Sequence, residues 1–555
     1  MDSRSTTASS APNSRLPALF AIACFILSIL FYGGSVLSLP LERTILLDLV
    51  PYPDAVEYFA QANSLLETGR PTIQIGFNRL PSRYPPGYPV LMLPWLKFLT
   101  HDKILAPFRT NQTIGFLLLA GSFAFYFLIG RPLAAGSAVL LLATQPAFVA
   151  FSRSSMSDLS AGALIVASFA MAYYGFRTRR HWLIYASAFV LGLSVSVRVQ
   201  LLFFSPMLIV IAFFPVSASR SRWLTHCILV GLVFVVAASP YFFLNAVEFG
   251  NPFKTGYDFW VPALRGENSA FSVANVPHQG ALLWTEITAT WTKFRVANIF
   301  GTGSYVTPAF IVLAACGVPL FFRWRGFEIC AFGGAALFFL SVLTFSYGDI
   351  RLYLPILFLM IGLATLAAEW ALEKTVRMGP STDTAGVLVL FVLSCIGYPS
   401  RSGFPSKGGR AQAWDALKYR KGHGKSIAFE TQKEFMQKFR QFPGIVLTDI
   451  DPVYLNTLWP KRFAVAPLDA VHHYSLSKLW HYGEQDAVKL VQGGIAKNLP
   501  VYGLLSAKEG SRGIERLPTI VGYHWQQSDK LPAMAVVLTL TRDLTTESAP
   551  GMVGE

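Results

Sequence analysis

Acidic, basic and aromatic residues stand together at four places that border apolar segments. The four places are Pro53-Asp-Ala-Val-Glu-Tyr58, Arg83-Tyr-Pro-Pro-Gly-Tyr-Pro89, Ser152-Arg-Ser-Ser-Met-Ser-Asp158 and Asp349-Ile-Arg-Leu-Tyr-Leu-Pro355. A carboxylate can take the proton of a hydroxyl group, and an arginine can bind a phosphate through paired, charge-assisted hydrogen bonds. Ionisable residues at membrane depth are costly, so each is a functional candidate. These residue types suit a reaction between a hydroxyl group and an anionic, lipid-linked donor.

Arg198 stands between two short apolar runs, and like the other candidates it also has an ordinary structural explanation. Asp54 and Asp158 could cap helices, since a carboxylate accepts hydrogen bonds from unpaired helix amides. Arg198 and Arg351 could extend toward anionic lipid headgroups. The segment Tyr84-Pro-Pro-Gly-Tyr88 could be a plain turn before a helix. Capping and catalysis are compatible, so both explanations stay open.

The composition is that of a membrane protein. Hydrophobic residues make up 53% of the 555 residues and charged residues only 14%, against about 25% charged residues in a soluble domain. The mean hydropathy is +0.45. The net charge of +15 is expected from basic cytoplasmic loops, and no basic domain or RNA motif indicates a nucleic-acid partner. All five cysteines lie in apolar runs, so no disulfide framework or CxxC metal site is indicated.

Apolar runs predict a polytopic α-helical membrane protein with about eleven transmembrane helices. The first run, near 16–39, is interpreted as an anchor that is not cleaved. It follows an N-terminus, residues 1–15, that is expected to be disordered and cytoplasmic. The other spans are predicted near 112–130, 133–150, 158–176, 182–197, 199–215, 223–241, 304–322, 327–345, 353–370 and 384–398.

Basic residues recur in alternate short loops and thereby predict the orientation. They are Arg131, then Arg177, Arg179 and Arg180, then Arg220 and Arg222, then Arg323 and Arg325, then Lys374 and Arg377. By the positive-inside rule these loops are cytoplasmic. The long loops 40–111 and 242–303 and the C-terminal residues 400–555 then lie outside, on the same side as every candidate site residue.

Two outer regions have recognisable elements. Residues 54–68 have helical periodicity and predict a short amphipathic helix on the outer membrane surface. Strands are predicted at 444–449, 462–466 and 500–505, and a helix at 484–497. This alternation predicts that residues 400–555 form a small extracytoplasmic α/β domain, which follows a transmembrane module at 16–399.

The order of the motifs resembles the membrane glycosyltransferases of the GT-C fold. The nearest in style are bacterial relatives of dolichyl-phosphate-mannose protein mannosyltransferases and the lipid A aminoarabinose transferase. The resemblance covers about residues 15–370 and rests on the first-loop motif with its downstream Leu-Leu-Glu-Thr-Gly69. It rests also on Tyr84-Pro-Pro-Gly-Tyr-Pro89, the acidic segment from Gln145 to Asp158, Gly192-Leu-Ser-Val-Ser-Val-Arg198, Phe249-Gly-Asn-Pro-Phe-Lys-Thr-Gly-Tyr257 and Arg351-Leu-Tyr-Leu-Pro355.

The resemblance implies an inverting glycosyltransferase with a polyprenyl-phosphate sugar as donor. It implies that Asp54 is the general base or positions the acceptor, and that Asp158 is the second acidic residue near it. Contacts to the donor phosphate are expected from Arg198 and Arg351, and more weakly from Arg83 and Lys254. Positioning of donor or acceptor is expected from Glu57, Tyr58, Tyr84, Arg153 and Tyr353.

The sequence departs from the family pattern in two places. Ala55 follows Asp54 where protein mannosyltransferases have an Asp-Glu pair, which argues against a protein acceptor. Arg83-Tyr84 stands where the aminoarabinose transferases have a Glu-Lys pair whose Glu can serve a metal. The metal is therefore unknown and no cofactor is certain, although Asp54 and Asp158 could recruit a divalent cation through their oxygens.

The predicted function is sugar transfer to an envelope acceptor, which is lipopolysaccharide or lipid A, another lipid, or a polysaccharide. The expected location is a bacterial inner membrane with the active site and the C-terminal domain in the periplasm. A transporter or flippase of an envelope glycolipid is the alternative, although charges at one face and not at the midplane argue against it. A membrane-anchored binding factor would leave the motifs of four outer segments unexplained.

Overall fold

The computed structural model describes most of the chain before residue 377 and the strands and helices of the C-terminal part. The described residues are 15–37, 54–75, 78–100, 103–205, 220–260, 272–288, 308–321, 337–345, 350–376, 427–439, 444–449, 455, 463–468, 484–506, 514–531 and 535–543. Residues 1–14 and the predicted span 384–398 lie outside these ranges. The side chains of Asp54 and Arg351 are also not described.

Helices dominate the first part of the chain. They include α1 (Arg15–Tyr32), α2 (Asp54–Thr68), α3 (Gly87–Phe98), α4 (Ala106–Leu128), α5 (Pro132–Ala143), α6 (Pro146–Ser152), α7 (Asp158–Thr178), α8 (His181–Val197), α9 (Arg220–Phe249), α10 (Gly256–Trp260), α11 (Val276–Thr288), α12 (Pro308–Phe321) and α13 (Leu354–Val376). A hairpin of strands β1 (Thr72–Ile75) and β2 (Asn78–Pro81) joins α2 to the segment before α3.

Within the described residues, five helices are long and apolar enough to cross a membrane. They are Pro17–Leu37, Ala106–Leu128, Asp158–Thr178, Trp223–Phe249 and Leu354–Lys374. Helices α5 and α8 are apolar but shorter. The structure supports a polytopic helical membrane protein, and the prediction of eleven spans is not confirmed. Four predicted spans, 199–215, 304–322, 327–345 and 384–398, are described only in part or not at all.

One predicted span is divided, and another begins with a 3-10 turn. The run at 133–150 is divided into α5 and α6, because Pro146 lacks an amide hydrogen and disfavours helical geometry in the residue before it. The run at 199–215 begins with a 3-10 turn at Val199–Phe204. Arg198 just before that turn is extended, with φ −155° and ψ 115°. This break places the Arg198 side chain at a helix end and not within a continuous span.

Consecutive long helices pack against one another through close backbone approaches. Helix α7 packs on α8, α8 on α9, and α13 on α5, α7 and α12. A Cβ atom at Gly192 in α8 would lie 2.5 Å from the Phe234 carbonyl oxygen in α9. Small residues let helices approach in this way where both neighbours are apolar.

Charged residues occupy opposite ends of the same helices. Asp158 begins α7, whereas Arg177 lies in its last turn. At the Arg177 end, Arg131 forms an ion pair with Glu369 of α13, in which Arg131 Nε donates to Glu369 Oε1 at 2.9 Å. Arg198 follows α8 at the Asp158 end, and His181 begins that helix at the Arg177 end. The arrangement separates the candidate site from the basic loops, as the loop charges predict.

The C-terminal part contains a five-stranded mixed sheet between two helices. Its elements are α14 (Ile427–Lys438), β3 (Gly444–Thr448), β4 (Phe463–Pro467), α15 (Glu484–Ala496), β5 (Val501–Leu505), β6 (Tyr523–Lys530) and β7 (Val536–Arg542), with strand order β4-β3-β5-β7-β6. Strands β4 and β5 run parallel to β3, and β7 is antiparallel to β5 and β6. Successive residues of β3 face opposite sides, so Ile445 packs toward α15 and Val446 toward α14.

The three strands and the helix predicted for this part are present. The β6–β7 hairpin was not predicted, because β6 reads Tyr-His-Trp-Gln-Gln-Ser-Asp-Lys and is mostly exposed at the sheet edge. Such a polar edge strand has no alternation of apolar residues to identify it. At the other edge of the sheet, β4 contacts β1 of the outer loop.

The helix contact at Gly192 can be tested by adding side-chain volume. We expect Gly192→Val to lower the midpoint of thermal unfolding of the purified protein, because overpacking costs about 1–3 kcal/mol. Gly231→Val in α9 is the matched control, since a Cβ atom there meets nothing within 4 Å. Equal midpoints for the two variants would contradict the described packing of α8 on α9.

Candidate active site

Helix α2 carries one row of candidate residues into the protein interior. Asp54 is its first residue, and Glu57, Tyr58 and Gln61 follow at three, four and seven positions, which is one face of a helix. The three are only 1%, 3% and 2% exposed. On the other faces of the helix, Ala55, Phe59, Ala62 and Asn63 are buried as well. Ala55 packs against Met156 of the loop before α7. The predicted helix is therefore present, and its first two turns are packed inside the protein. Its position at the outer membrane surface stays a prediction.

Glu57 and Arg83 form a fully buried ion pair. Arg83 Nε donates to Glu57 Oε2 at 2.9 Å, and Arg83 Nη2 lies 2.8 Å from the same oxygen. Glu57 Oε1 accepts from the Arg83 amide at 2.6 Å and from Ser82 Oγ at 3.0 Å. Four donors thus occupy the carboxylate. Through these hydrogen bonds, Glu57 holds the backbone of Ser82 and Arg83 in place before Tyr84.

Three tyrosine rings join α2 to the loop before α7. Tyr58 and Tyr84 have ring centroids 4.8 Å apart, and Tyr88 meets Tyr58 edge-on at 5.2 Å. The Tyr58 hydroxyl shares a 2.9 Å hydrogen bond with Ser157 Oγ, next to Asp158. Burial, together with the nearby Tyr58 and Asp158, raises the pKa of Tyr88 well above its usual range. Tyr88 is therefore a neutral phenol at physiological pH.

Asp158 is completely buried and forms an ion pair with Arg198. Asp158 Oδ1 accepts a hydrogen bond from Arg198 Nη1. Asp158 Oδ2 is buried and has no hydrogen-bond partner among the described residues. Ser157 holds the N-cap position, without a side-chain capping bond. The carboxylate of Asp158 is therefore directed to Arg198 and does not cap the helix.

The loop between α6 and α7 is held by a buried amide. Asn111 Nδ2 donates to the carbonyl oxygens of Ser154 and Met156 at 2.9 and 2.7 Å. Asn111 is fully buried, so its amide serves the packing of this loop. Arg153, a predicted positioning residue, is 7% exposed within this loop.

Two glycines bring three motifs into contact. A Cβ atom at Gly87 would lie 2.5 Å from the Ser196 carbonyl, beside Arg198. A Cβ atom at Gly256 would overlap the backbone of Ser82 and Arg83. The Tyr-Pro-Pro-Gly segment therefore packs between the end of α8 and the loop after α9. Tyr257 extends this contact, because its ring meets Tyr84 edge-on at 5.7 Å.

The other predicted residues lie farther from this cluster or are not described. Lys254 is exposed on the loop after α9. The Tyr353 hydroxyl donates to Gln279 Oε1 at 3.1 Å, and Gln279 Nε2 donates to the Phe345 carbonyl at 2.9 Å. Tyr353 thus fastens the start of α13 to α11. The Arg351 side chain is not described, so its role stays a prediction.

Arg198 also lines a small pocket that is partly open to solvent. The remaining lining residues are Gln200, Phe338, Ser341, Val342, Phe345 and Leu352. A guanidinium at the wall of a largely apolar cavity is suited to a molecule with an anionic head and a hydrocarbon chain. Leu352 is the chain neighbour of the predicted phosphate ligand Arg351.

A metal site is not visible among the described side chains. Within them, no group of three or more His, Cys, Asp or Glu residues could hold an ion. The predicted pair of Asp54 and Asp158 is not tested, because the Asp54 side chain lies outside the described part. Asp158 Oδ2 is one oxygen that could serve such an ion.

Solved structures with the same architecture identify the fold. No protein-family model matches the sequence, and no curated protein matches it. The structure of ArnT from Cupriavidus metallidurans bound to undecaprenyl phosphate aligns with a TM-score of 0.56 and 12% identity, over 94% of this chain and 98% of that one. The apo state of the same protein aligns at 0.55 with 14% identity, over 96% and 99%.

A second, more distant protein shares the arrangement. The oligosaccharyltransferase AglB from Archaeoglobus fulgidus, in complex with an inhibitory peptide and a dolichol-phosphate, aligns at 0.52 with 10% identity, over 94% of this chain and 74% of that one. Both are glycosyltransferases of the GT-C fold. This chain has the GT-C fold. The resemblance stated from the motifs is confirmed at the level of the fold.

Sequence reasoning missed several polar residues of the site. They are Gln61, Asn111, Ser157 and Gln279. Asn111 had a recognisable signal, since an amide in an apolar helix must find a partner. Gln61 lies seven residues after Asp54 and could have been found from helical periodicity. Ser157 and Gln279 had no signal of their own, because their partners are distant in sequence.

The buried Glu57–Arg83 pair can be tested by removing one partner or both. Glu57→Gln or Arg83→Met alone should lower the free energy of unfolding by about 3–5 kcal/mol, because each leaves a buried, unpaired charge. The double variant should lose less than the sum of the single losses. Thermal unfolding of purified variants measures this, with exposed Glu373→Gln as the control. Additive losses would show that the two side chains do not interact.

Proposed function

We propose that this protein is an inverting membrane glycosyltransferase that moves a sugar from a polyprenyl phosphate to a hydroxyl group of an envelope acceptor. The observation that carries the proposal is the buried Asp158–Arg198 pair. It lies beside the helix that begins at Asp54, in a chain with the GT-C fold. Asp158 keeps one unpartnered oxygen, and Arg198 reaches an apolar cavity. A carboxylate and a phosphate-binding group are thus available at one place.

The donor is proposed to bind with its phosphate at Arg198 and its polyprenyl chain along the apolar cavity. Arg351 is the second proposed phosphate ligand, because Leu352 beside it lines the same cavity. The related structures support a lipid-phosphate donor, since one of them contains undecaprenyl phosphate and another a dolichol-phosphate. Arg83 is a weaker candidate here, because Glu57 already holds its guanidinium. Exposed Lys254 could meet the phosphate only at the rim.

The proposed reaction is a single displacement. Asp54 takes the proton of the acceptor hydroxyl, and the acceptor oxygen forms a bond to the anomeric carbon from the side opposite the phosphate. The bond between that carbon and the phosphate oxygen breaks, and the phosphate leaves with the electron pair. Arg198 stabilises the charge on the leaving phosphate. Asp158 positions Arg198, and with Asp54 it could hold a divalent cation.

The supporting residues are proposed to keep this arrangement rigid. Tyr58 links Asp54's helix to Ser157, and the Tyr84 ring packs against the Tyr58 ring at a tilt. Arg153 lies in the loop before Asp158, and Tyr353 lies two residues after Arg351. Glu57 holds the proline segment through Arg83. Precise positioning matters because misplacement of reacting groups by about 1 Å can cost about a hundredfold in rate.

The proposed location is a bacterial inner membrane, with the site and the C-terminal sheet on the periplasmic side. The positions of Arg131, Arg177 and Lys374 at the opposite helix ends support this orientation by the positive-inside rule. The proposed acceptors are lipopolysaccharide or lipid A, another envelope lipid, or a polysaccharide. Ala55, in place of the acidic residue of protein mannosyltransferases, argues against a protein acceptor.

The test is mass spectrometry of envelope lipids and lipopolysaccharide. Cells with wild-type protein should contain a sugar-sized mass that is lost in a deletion strain and in Asp54→Asn. Removing a general base typically costs about 10²–10⁴ in rate. Asp158→Asn should lose the mass as well, and Glu373→Gln should keep it. All variants should be present in the membrane in equal amounts.

Two results would contradict the proposal. Full modification in both Asp54→Asn and Asp158→Asn would remove these carboxylates from the reaction. Accumulation of an unmodified glycolipid in sealed vesicles, without a covalent product, would identify a transporter or flippase instead.

Arg198 allows a sharper test of phosphate binding. Arg198→Lys keeps the charge but loses the planar pair of donors, so we expect the KM for the lipid donor to rise about tenfold or more. Arg198→Gln should be worse, because it also leaves Asp158 as a buried, unpaired charge. Initial rates at varied donor concentration measure this. An unchanged KM in both variants would place the phosphate elsewhere.

A further inference from the structure

Helix α11 presents a row of apolar side chains to its surroundings. Val273, in the 3-10 turn before the helix, is 78% exposed, and Trp284 is 60% exposed. Pro277 and Ala281 are exposed as well. Pro277, Ala281 and Trp284 are spaced by four and three residues, so they lie on one side of the helix. These three residues and Val273 form the α11 stripe, which none of the reaction steps proposed above uses.

The opposite side of α11 is fastened to the cavity that Arg198 lines. Gln279 is completely buried, and Leu282, three residues later, is 7% exposed. Gln279 Nε2 donates to the carbonyl oxygen of Phe345, which lines the cavity, and Gln279 Oε1 accepts from the Tyr353 hydroxyl. These bonds fix the rotation of the helix about its axis. The α11 stripe is therefore held outward, at the Arg198 end of the molecule.

The turn before α11 is attached where an apolar run of the chain ends. Leu337 and Leu340 are 44% and 55% exposed on the helix at 337–343, in the predicted span 327–345. Thr344, just after this helix, accepts hydrogen bonds from the Ser272 amide at 2.7 Å and from Asn275 Nδ2 at 2.9 Å. Polar residues follow in the sequence from position 346. The attachment point is thus the boundary between an apolar and a polar segment.

Helix α11 has the size and the polarity of a helix at a lipid–water boundary. It has 13 residues and is about 20 Å long, which is too short for a hydrocarbon core of about 30 Å. His278 is exposed and lies between the α11 stripe and the side that carries Gln279. The helix therefore has one side each for lipid, water and protein. Trp284 belongs to the stripe, and tryptophan is enriched at membrane interfaces.

The composition of this surface argues against a protein as its partner. Residues 272–284 contain no Asp, Glu, Lys or Arg, so the surface has no charge with which to select one. The four side chains of the α11 stripe are far fewer than the about 20–30 residues on each side of a stable protein interface. A second copy of the chain would meet the same limit. A lipid surface requires neither charge nor a large matching area, because apolar burial alone favours it.

We propose that the α11 stripe docks on the lipid–water boundary of the membrane, with His278 toward water. The partner is the bilayer surface itself, at the level where the acyl chains meet the head groups. Because Gln279 of the same helix bonds Phe345 and Tyr353, docking also steadies the cavity wall and the turn that carries Arg351. This effect on donor binding rests on the proposed function, whereas docking on lipid does not.

Fluorescence quenching by brominated lipids tests the docking. The chain contains 12 tryptophans, so the Trp284 signal is obtained as the difference between the wild type and Trp284→Phe, both full length in phosphatidylcholine nanodiscs. Bromine near the head-group end of the acyl chains should quench this signal more than bromine near their methyl end. The Trp525 signal, obtained in the same way with Trp525→Phe, is the control from the C-terminal sheet and should be quenched by neither lipid.

Two charge substitutions on the same helix locate the docking side. Ala281→Asp places a carboxylate within the α11 stripe, whereas His278→Asp places one on the water side. Ala281→Asp should lose most of the quenching of Trp284, because a charge is costly in contact with lipid, and His278→Asp should keep it. Both positions are exposed, so both variants should keep the thermal midpoint of the wild type.

Three results would overturn the proposal. Absence of Trp284 quenching by either lipid would place the stripe in water or under protein. Stronger quenching by bromine at the methyl end would place it deep in the membrane. Equal quenching in Ala281→Asp and His278→Asp would show that the stripe is not the docking side.

Donor kinetics separate the docking from the proposed reaction. Ala281→Asp should raise the KM for the lipid donor about threefold or more with little change in kcat, whereas His278→Asp should change neither. Lost quenching with an unchanged KM in Ala281→Asp would confirm the docking and refute its effect on donor binding. Quenching as expected in a protein that transfers no sugar would refute the proposed function alone.

Discussion

The site depends on the cost of burying charge among apolar helices. Glu57 and Asp158 are 1% and 0% exposed, and an isolated carboxylate in such surroundings would be protonated or expelled. Each therefore has an arginine partner, Arg83 for Glu57 and Arg198 for Asp158. Because each pair joins two elements distant in sequence, pairing the charges also joins α2 to the proline segment and α7 to the end of α8.

The two ion pairs differ in what they leave free. Glu57 has donors on both oxygens, so it can only hold its neighbours in place. Asp158 keeps one oxygen without a partner, and Arg198 faces a cavity. A carboxylate with donors on both oxygens can only hold its neighbours, whereas a carboxylate with one oxygen lacking a donor can still accept a hydrogen bond from a substrate. This difference makes Asp158 and Arg198 the stronger candidates for contact with a substrate.

Close backbone contacts and tyrosine ring contacts link the ion pairs to the surrounding segments. Glycine at Gly87 and at Gly256 lets the proline segment touch the chain on both sides, and Tyr84 packs between Tyr58 and Tyr257. The outer hairpin then meets the C-terminal sheet where β1 contacts β4. Strand β4 is an edge strand, and an edge needs cover against unwanted pairing. The C-terminal part is thereby connected to the loop that begins with Asp54's helix.

The sequence by itself indicated a membrane protein, the separation of the basic loops from the candidate site residues, and the carboxylates and arginines beside apolar runs. These features depend only on composition and local periodicity. Tertiary structure alone decided that Arg83 serves Glu57, that Arg198 serves Asp158, and that the first two turns of α2 are buried. Such pairings bring together residues far apart in the chain, and no local pattern encodes which charge meets which. One predicted span, 133–150, is divided in the structure, because Pro146 breaks a run that hydropathy alone treats as continuous.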